Sequence, residues 1–147
     1  MIHSPLQSAV LTALVFSVFA MTAVIWVVQV IIYPLFTAVG EAQFLDYHNR
    51  DSIRISFIVI QLMGCQLVTA LAAVVVFWND GSRAFFIVGA LLTLSTWLVT
   101  FIVQVPQHAK LGNGYDRSTA IKLVKGNQIR ARLWSIHSIL LIIQLLR

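Results

Sequence analysis

Two histidines of this chain lie where charged segments meet apolar ones. His48 follows Asp46-Tyr47 in a charged segment, and His108 closely follows Pro106 after an apolar run. Imidazole changes its charge near pH 7, so it suits proton transfer, and its neutral ring also binds metal ions. We predict that the two rings share one site in which one of them is the catalytic base. Solvation of two histidines at a membrane surface is the alternative explanation.

Further polar residues recur at helical spacing inside apolar segments. Intervals of three and four residues place side chains on one face of a helix. We predict that such a face binds a small hydrophobic or aromatic molecule, with Tyr33 and Gln104 as hydrogen-bond donors. The other predicted binding residues, in the last apolar segment, follow one another at intervals of three, four and three: Asn127, Arg130, Trp134 and His137.

Arg130 and Asn127 form the pair that we expect to stabilise an anionic or phenolate-like group. Arg132 points about 160° away from Arg130 on a helix with 3.6 residues per turn, so we expect it to contact lipid headgroups. The alternative for the polar residues is structural, since glutamines often only join helices and tryptophans often only pack. His137 lies deep enough that we expect it to be neutral and bonded to a partner.

The composition predicts an integral membrane protein. Of 147 residues, 59% are hydrophobic and 10% are charged, which leaves too little polar surface for a water-soluble globule. The net charge of +5 comes from residues that flank apolar runs, so we expect contacts with the lipid bilayer and no nucleic-acid binding. Cys65 is the single cysteine of the chain, which excludes a disulfide within the chain and a CxxC motif.

The pattern of apolar runs predicts an all-α fold, a bundle of four transmembrane helices in one domain covering residues 1–147. An amphipathic interfacial segment, from Gly40 to Arg54, is expected between the first two helices. Tyr33-Pro34 marks a boundary or kink, and Pro106 ends or bends the third helix. On the second helix we expect Gln61, Cys65 and Thr69 to face inward, with Gln66 beside them. The predicted helices cover residues 6–36, 55–78, 84–105 and 127–146.

The distribution of lysine and arginine predicts the orientation. Only Arg83 and Arg147 lie on the side of the termini, and the positive-inside rule places the more basic side in the cytoplasm. We therefore expect a multi-pass inner-membrane protein with both termini outside the cytoplasm. The other eight basic residues lie on the side of the first and third loops: Arg50, Arg54, Lys110, Arg117, Lys122, Lys125, Arg130 and Arg132.

Several motifs of known chemistry are missing from the sequence, among them H-E-x-x-H, Walker A, G-x-G-x-x-G and G-x-S-x-G. No metal site is predicted, and the cofactor, if one is used, is not identified. A bis-histidine haem needs two inward histidines that face each other, and only His137 is expected securely inside.

Short motifs carry a resemblance to known families. The run from Gln104 through Pro106, His108 and Leu111 to Gly114 is followed by Leu123-Val124, Asn127, Arg130 and Trp134, and the pairs Tyr33-Pro34 and Tyr47-His48 precede it. This pattern resembles small bacterial four-helix membrane proteins of unknown function. More distantly, it is similar to the anthrone-oxygenase-like family. The latter resemblance implies a membrane-embedded oxygenase that acts on an aromatic polyketide without an obvious metal.

Two functions are therefore predicted. The first is a cytoplasm-facing polar pocket for a small hydrophobic or aromatic molecule, with cofactor-poor oxidoreductase or oxygenase-like chemistry. The second is a non-enzymatic membrane subunit or scaffold, whose basic third loop binds anionic lipid, another membrane protein or a second copy of the chain.

Overall fold

Four long helices make up the chain in the computed structural model, which describes residues 4–36 and 38–147. No strand occurs within those two ranges. The first three helices are each long and apolar enough to cross a membrane, as expected for a membrane protein. The fourth carries lysine and arginine through its first half and is not among them. The helices are α1 (Pro5–Leu35), α2 (Glu41–Val76), α3 (Arg83–Leu111) and α4 (Arg117–Leu145).

Helices α2 and α4 are longer than the sequence predicted. α2 begins at Glu41 and includes the segment that we expected as a separate interfacial helix. Its 36 residues extend over about 54 Å, whereas the hydrocarbon core measures about 30 Å, so its charged first turns can lie outside the apolar layer. α4 begins at Arg117 instead of near Asn127. Both helices were predicted too short because a change from charged to apolar residues was interpreted as a helix boundary. Such a change alters the surroundings of a helix, but it does not interrupt the backbone hydrogen bonds.

Helices α1 and α3 each contain a π-helical turn that ends just before a residue pair whose second member is proline. The two turns cover Val28–Ile32 and Thr100–Gln104. After each turn, the next backbone N–H donates to the carbonyl five residues earlier. This wider turn accommodates a proline ring that would strike a carbonyl in a regular α-helix. α3 therefore continues through Pro106, where we predicted its end or a bend, to Leu111.

Buried apolar side chains form clusters along the bundle. Near the short connection between α2 and α3, the rings of Phe77 and Phe86 stack 4.4 Å apart and pack with Ala70 and Ala73. At the opposite end, the ring of Phe36 contacts that of Phe44 edge-on at 5.7 Å. The polar side chains of interest lie between these ends, so the apolar clusters fix the helices on both sides of them.

Candidate functional site

His48 and His108 lie side by side where α2 and α3 approach each other. His48 Nε2 is 3.1 Å from His108 Nδ1, and His108 Nε2 is 3.2 Å from Tyr33 Oη. The Tyr33 hydroxyl donates to Gln104 Oε1 at 3.0 Å, and Gln104 Nε2 donates to the carbonyl oxygen of Leu123 at 3.2 Å. We call the four side chains His48, His108, Tyr33 and Gln104 the histidine–tyrosine chain. With the Leu123 carbonyl, it joins all four helices.

The direction of these hydrogen bonds assigns the tautomers of both histidines. Because the Gln104 amide nitrogen donates to Leu123, its oxygen accepts from Tyr33. The Tyr33 oxygen can then accept from His108 Nε2–H, which leaves His108 Nδ1 to accept from His48 Nε2–H. His48 Nδ1 is therefore unprotonated. It is buried and meets hydrogen-bond geometry with no polar atom of the described residues, although the Asn49 side chain lies close to the ring.

Arg130 is a cation buried within the bundle, with 5% of its surface exposed. Its Nη1 donates to Asn127 Oδ1 at 3.3 Å, and its Nη2 lies 3.8 Å from the sulfur of Met63. The guanidinium carbon is 5.1 Å from the ring centre of Trp134, a cation–π distance. Within residues 4–36 and 38–147, no carboxylate oxygen lies within 4.0 Å of it, and its Nε has no partner. The arrangement orients the guanidinium without neutralising it.

A cavity of about 590 Å³ lies beside the histidine–tyrosine chain and Arg130. Most of its wall is aliphatic or aromatic, including the side chain of Trp97. Sites for small molecules usually have volumes of about 300–1,000 Å³, an apolar wall and a few convergent polar groups. This cavity matches that description. Its polar and charged side chains are Tyr33, Asp51, Ser52, Gln104, His108 and Arg130, with Ser56 and Thr100.

A second polar network lies around Gln66. The Trp134 indole N–H donates to Gln66 Oε1 at 2.8 Å, and Gln66 Nε2 is 3.2 Å from Thr93 Oγ1 and 3.3 Å from His137 Nδ1. All four side chains are buried. We call these four residues the Gln66 network. Its groups satisfy one another, and none of them contributes to the cavity wall.

The predicted site residues thus fall into three groups. Half of them line the cavity, namely Tyr33, Gln104, His108 and Arg130. His48, Asn127 and Trp134 do not line it, but each contacts a residue that does. His137 is bonded to Gln66 instead, away from the cavity. Arg132 is exposed, as helical geometry predicted.

The inward face of α2 differs from the prediction. Gln61 and Cys65 are exposed, whereas Gln66 is buried. Steps of three and four residues from His48 along one continuous helix reach Ser52 and Gln66. This pattern was not predicted from the sequence because α2 was treated as two separate segments. The buried face of the segment with His48 was therefore not extended along the helix to Gln66. The same helix places Asp51 on the cavity wall.

Comparison of the chain with protein-family models, with curated proteins and with solved structures finds no match. The resemblances suggested by the short motifs therefore stay predictions. The arguments below rest on the contacts of the site itself.

Proposed function

We propose that this chain is a four-span membrane protein that binds a small, mainly apolar molecule whose anionic or phenolate-like group lies next to Arg130. One observation carries the proposal: a buried guanidinium without a carboxylate partner among the described residues lines a cavity. Burial of an unpaired charge costs several kcal/mol. A ligand anion would supply the missing partner, and the planar fork of N–H donors suits a carboxylate or phenolate oxygen.

The rest of the cavity wall supports the same ligand class. Apolar side chains form most of the wall and suit an aromatic or aliphatic body. Tyr33, Gln104 and His108 lie together on one part of the wall, where they bond mainly to one another and to His48 and Leu123, so the guanidinium of Arg130 would orient the polar end of the ligand. Such a division between an apolar body and a few polar contacts is what gives small-molecule sites their specificity.

The four-span arrangement and its orientation belong to this proposal. α4 packs against α1 and α3, and it directs Arg130 inward while Ile129, Ile136 and Ile139 are exposed. Exposed isoleucines suit a lipid-facing surface. The excess of basic residues near the first and third connections favours a cytoplasmic position for both, with the two termini outside the inner membrane.

Proton transfer through the histidine–tyrosine chain extends the proposal. An acidic O–H or C–H group of a bound aromatic molecule would lose its proton to His108 Nδ1 once the His48 ring releases its hydrogen bond to that atom, with His48 Nδ1 as the other unprotonated nitrogen of the pair. The anion so formed would be stabilised by Arg130. The resemblance to the anthrone-oxygenase-like family suggests that such an anion then reacts with dioxygen, in a cofactor-poor oxygenase-like reaction.

A binding experiment with a charged and a neutral ligand of the same shape tests the proposal. Purified protein in phosphatidylcholine nanodiscs is titrated with 2-naphthoate and with 2-naphthylmethanol. Charge-assisted hydrogen bonds contribute about 1.5–3 kcal/mol, so Arg130→Gln should weaken naphthoate binding roughly 10- to 100-fold and leave the alcohol unchanged. Arg132→Gln is the matched control and should change neither. Equal losses for both ligands in Arg130→Gln would contradict the proposal.

The second candidate function, a scaffold that binds anionic lipid or a partner, rests on a different surface. Lys110, Lys122 and Lys125 are exposed near the same end of the bundle, where they can contact anionic headgroups. The two functions separate in one comparison. If binding to phosphatidylserine vesicles is lost with Lys122→Ala plus Lys125→Ala and naphthoate binding is absent, the scaffold is favoured. Loss of naphthoate binding with His108→Ala alone favours the pocket.

A further inference from the structure

The wall of the cavity contains a side opening between α2 and α3. These helices contact each other at two levels, through Gln66 and Thr93 at one and through His48 and His108 at the other. Between the two levels, residues of both helices line the cavity. The two contacts therefore frame a gap in the middle of the paired helices.

The residues at the rim of this gap face outward as well as inward. Ile60 of α2 and Phe101 and Val105 of α3 line the cavity, yet they are 63%, 59% and 51% exposed. Ser56 lines it too and is exposed. A side chain that borders both a cavity and the outside marks an opening. Because both helices are apolar enough to cross a membrane, this opening faces lipid.

The opposite route starts at the aqueous end, where exposed lysines attract anions, and leads past an acidic residue. At that end the nearest ring nitrogens of the two histidines lie 3.1 Å apart between α2 and α3, and Asp51 and Ser52 line the cavity. Arg130 lies deeper, against Met63, which is twelve residues or about 18 Å farther along α2 than Asp51. An anion from water would pass a carboxyl group before it reached the guanidinium.

We propose that the ligand reaches Arg130 from the bilayer, through the opening between α2 and α3, and that it is a single-chain amphiphile with a carboxylic acid or phenol head. This inference rests on the proposed function. Both heads dissolve in hydrocarbon in their neutral form and can ionise beside the guanidinium. A phospholipid is a poorer candidate, because its phosphate stays at the membrane surface, away from the level of Met63. The apolar chain of the ligand extends between Ile60 and Phe101 into the lipid.

Association kinetics in nanodiscs test this route, with 6-decyl-2-naphthoate as the probe and stopped-flow fluorescence as the readout. Ser56→Trp plus Val105→Trp narrows the opening and should slow association about tenfold or more. Ile136→Trp adds the same bulk to an exposed position of α4 (48% exposed) and should have no effect. Ala109→Trp narrows the aqueous end, where Ala109 is exposed and lines the cavity, and should also leave the rate unchanged.

A variant that widens the opening tests the route even if the double tryptophan variant does not fold. Ile60→Ala plus Phe101→Ala widens the opening and should accelerate association by about threefold or more. An unchanged rate in the rim variants, or slowing by Ala109→Trp, overturns the inference while leaving the proposed function intact. A wild-type protein that binds no naphthoate, or binding that survives Arg130→Gln, overturns the proposed function and this inference with it.

Discussion

Two buried polar regions of this protein differ in how fully their hydrogen bonds are satisfied. In the Gln66 network, the amide group of Gln66 bonds to three side chains, and none of the four residues lines the large cavity. Around the cavity, by contrast, several buried polar atoms of the described residues have no partner: Arg130 Nε, Asp51 Oδ2, Trp97 Nε1 and His48 Nδ1.

This difference separates structure from function. Buried polar groups are almost always hydrogen-bonded, so those that are not need an explanation. Four of the six such atoms among the described residues lie on the wall of one cavity or beside it, and the other two belong to Gln107 and Gln144. The Gln66 network therefore holds helices together, whereas the cavity groups are available to a ligand. Substitutions in the two regions should accordingly affect different measurements.

The largest expected effect on stability comes from Gln66→Leu. The substitution leaves the indole of Trp134 and the ring of His137 without their partner, which should lower the free energy of unfolding by roughly 1–3 kcal/mol. Gln61→Leu, at an exposed position of the same helix, is the control and should cost much less. Titration of the purified protein with sodium dodecyl sulfate measures both. If Gln66→Leu abolishes naphthoate binding and leaves stability unchanged, the separation of the two regions is mistaken.

Gly126→Ala should disturb the cavity side instead. A Cβ atom at this position would lie 2.6 Å from Val103 Cγ1 and 2.7 Å from Gln104 Nε2, so these side chains or the two helices must shift. Overpacking costs about 1–3 kcal/mol, and the displaced Gln104 should weaken naphthoate binding. Gly64→Ala is the matched control, since a Cβ there meets nothing within 4 Å. It should be neutral or slightly stabilising. Equal melting temperatures for the two variants would contradict this packing.

Tyr33→Phe removes one hydroxyl from the histidine–tyrosine chain. The loss leaves Gln104 Oε1 and His108 Nε2 without their bonds to it, but the ring still packs. We expect a loss of stability of about 1 kcal/mol or less, and a decrease in naphthoate affinity of a few-fold. Tyr47→Phe removes a hydroxyl outside this chain and should change affinity less. Isothermal titration calorimetry with naphthoate compares the loss of affinity in the two variants. A larger loss in Tyr47→Phe than in Tyr33→Phe would contradict the proposed binding site.

The smallest effect is expected at the start of α4, outside the cavity. Hydrogen bonds from the Thr119 and Ser118 side chains and from the Thr119 backbone lower the pKa of Asp116 from 3.8 to about 2. Since the pKa is lower in the folded state, its contribution to stability is present above pH 3.8 and is lost as the pH falls towards 2. Asp116→Ala should lower the melting temperature slightly at pH 7 and hardly at all at pH 2. An equal decrease in melting temperature at pH 7 and at pH 2 would show that the stabilisation does not come from the ionised carboxylate of Asp116.

The fold was largely predictable because long apolar runs and turn residues determine it. Helical periodicity also distinguished the buried Arg130 from the exposed Arg132. Periodicity did not identify the buried face of α2. Residues 55–76 carry no charge, so the sequence does not distinguish the side that faces lipid from the side that faces the other helices. The π-helical turns before the two prolines were not predicted either. A proline in the sequence indicates that a helix ends or bends, but it does not indicate which local backbone geometry accommodates the ring. The cavity depends on distances between helices, which no local pattern encodes.

The central claim is that Arg130 holds the acidic head of an apolar ligand. Native mass spectrometry of protein extracted in mild detergent tests it most directly, on wild type, Arg130→Gln and Arg132→Gln prepared in parallel. We predict a bound apolar acid or phenol in wild type and in Arg132→Gln, and its loss from Arg130→Gln. A wild-type protein without such a molecule, or equal occupancy in the two arginine variants, would contradict the claim.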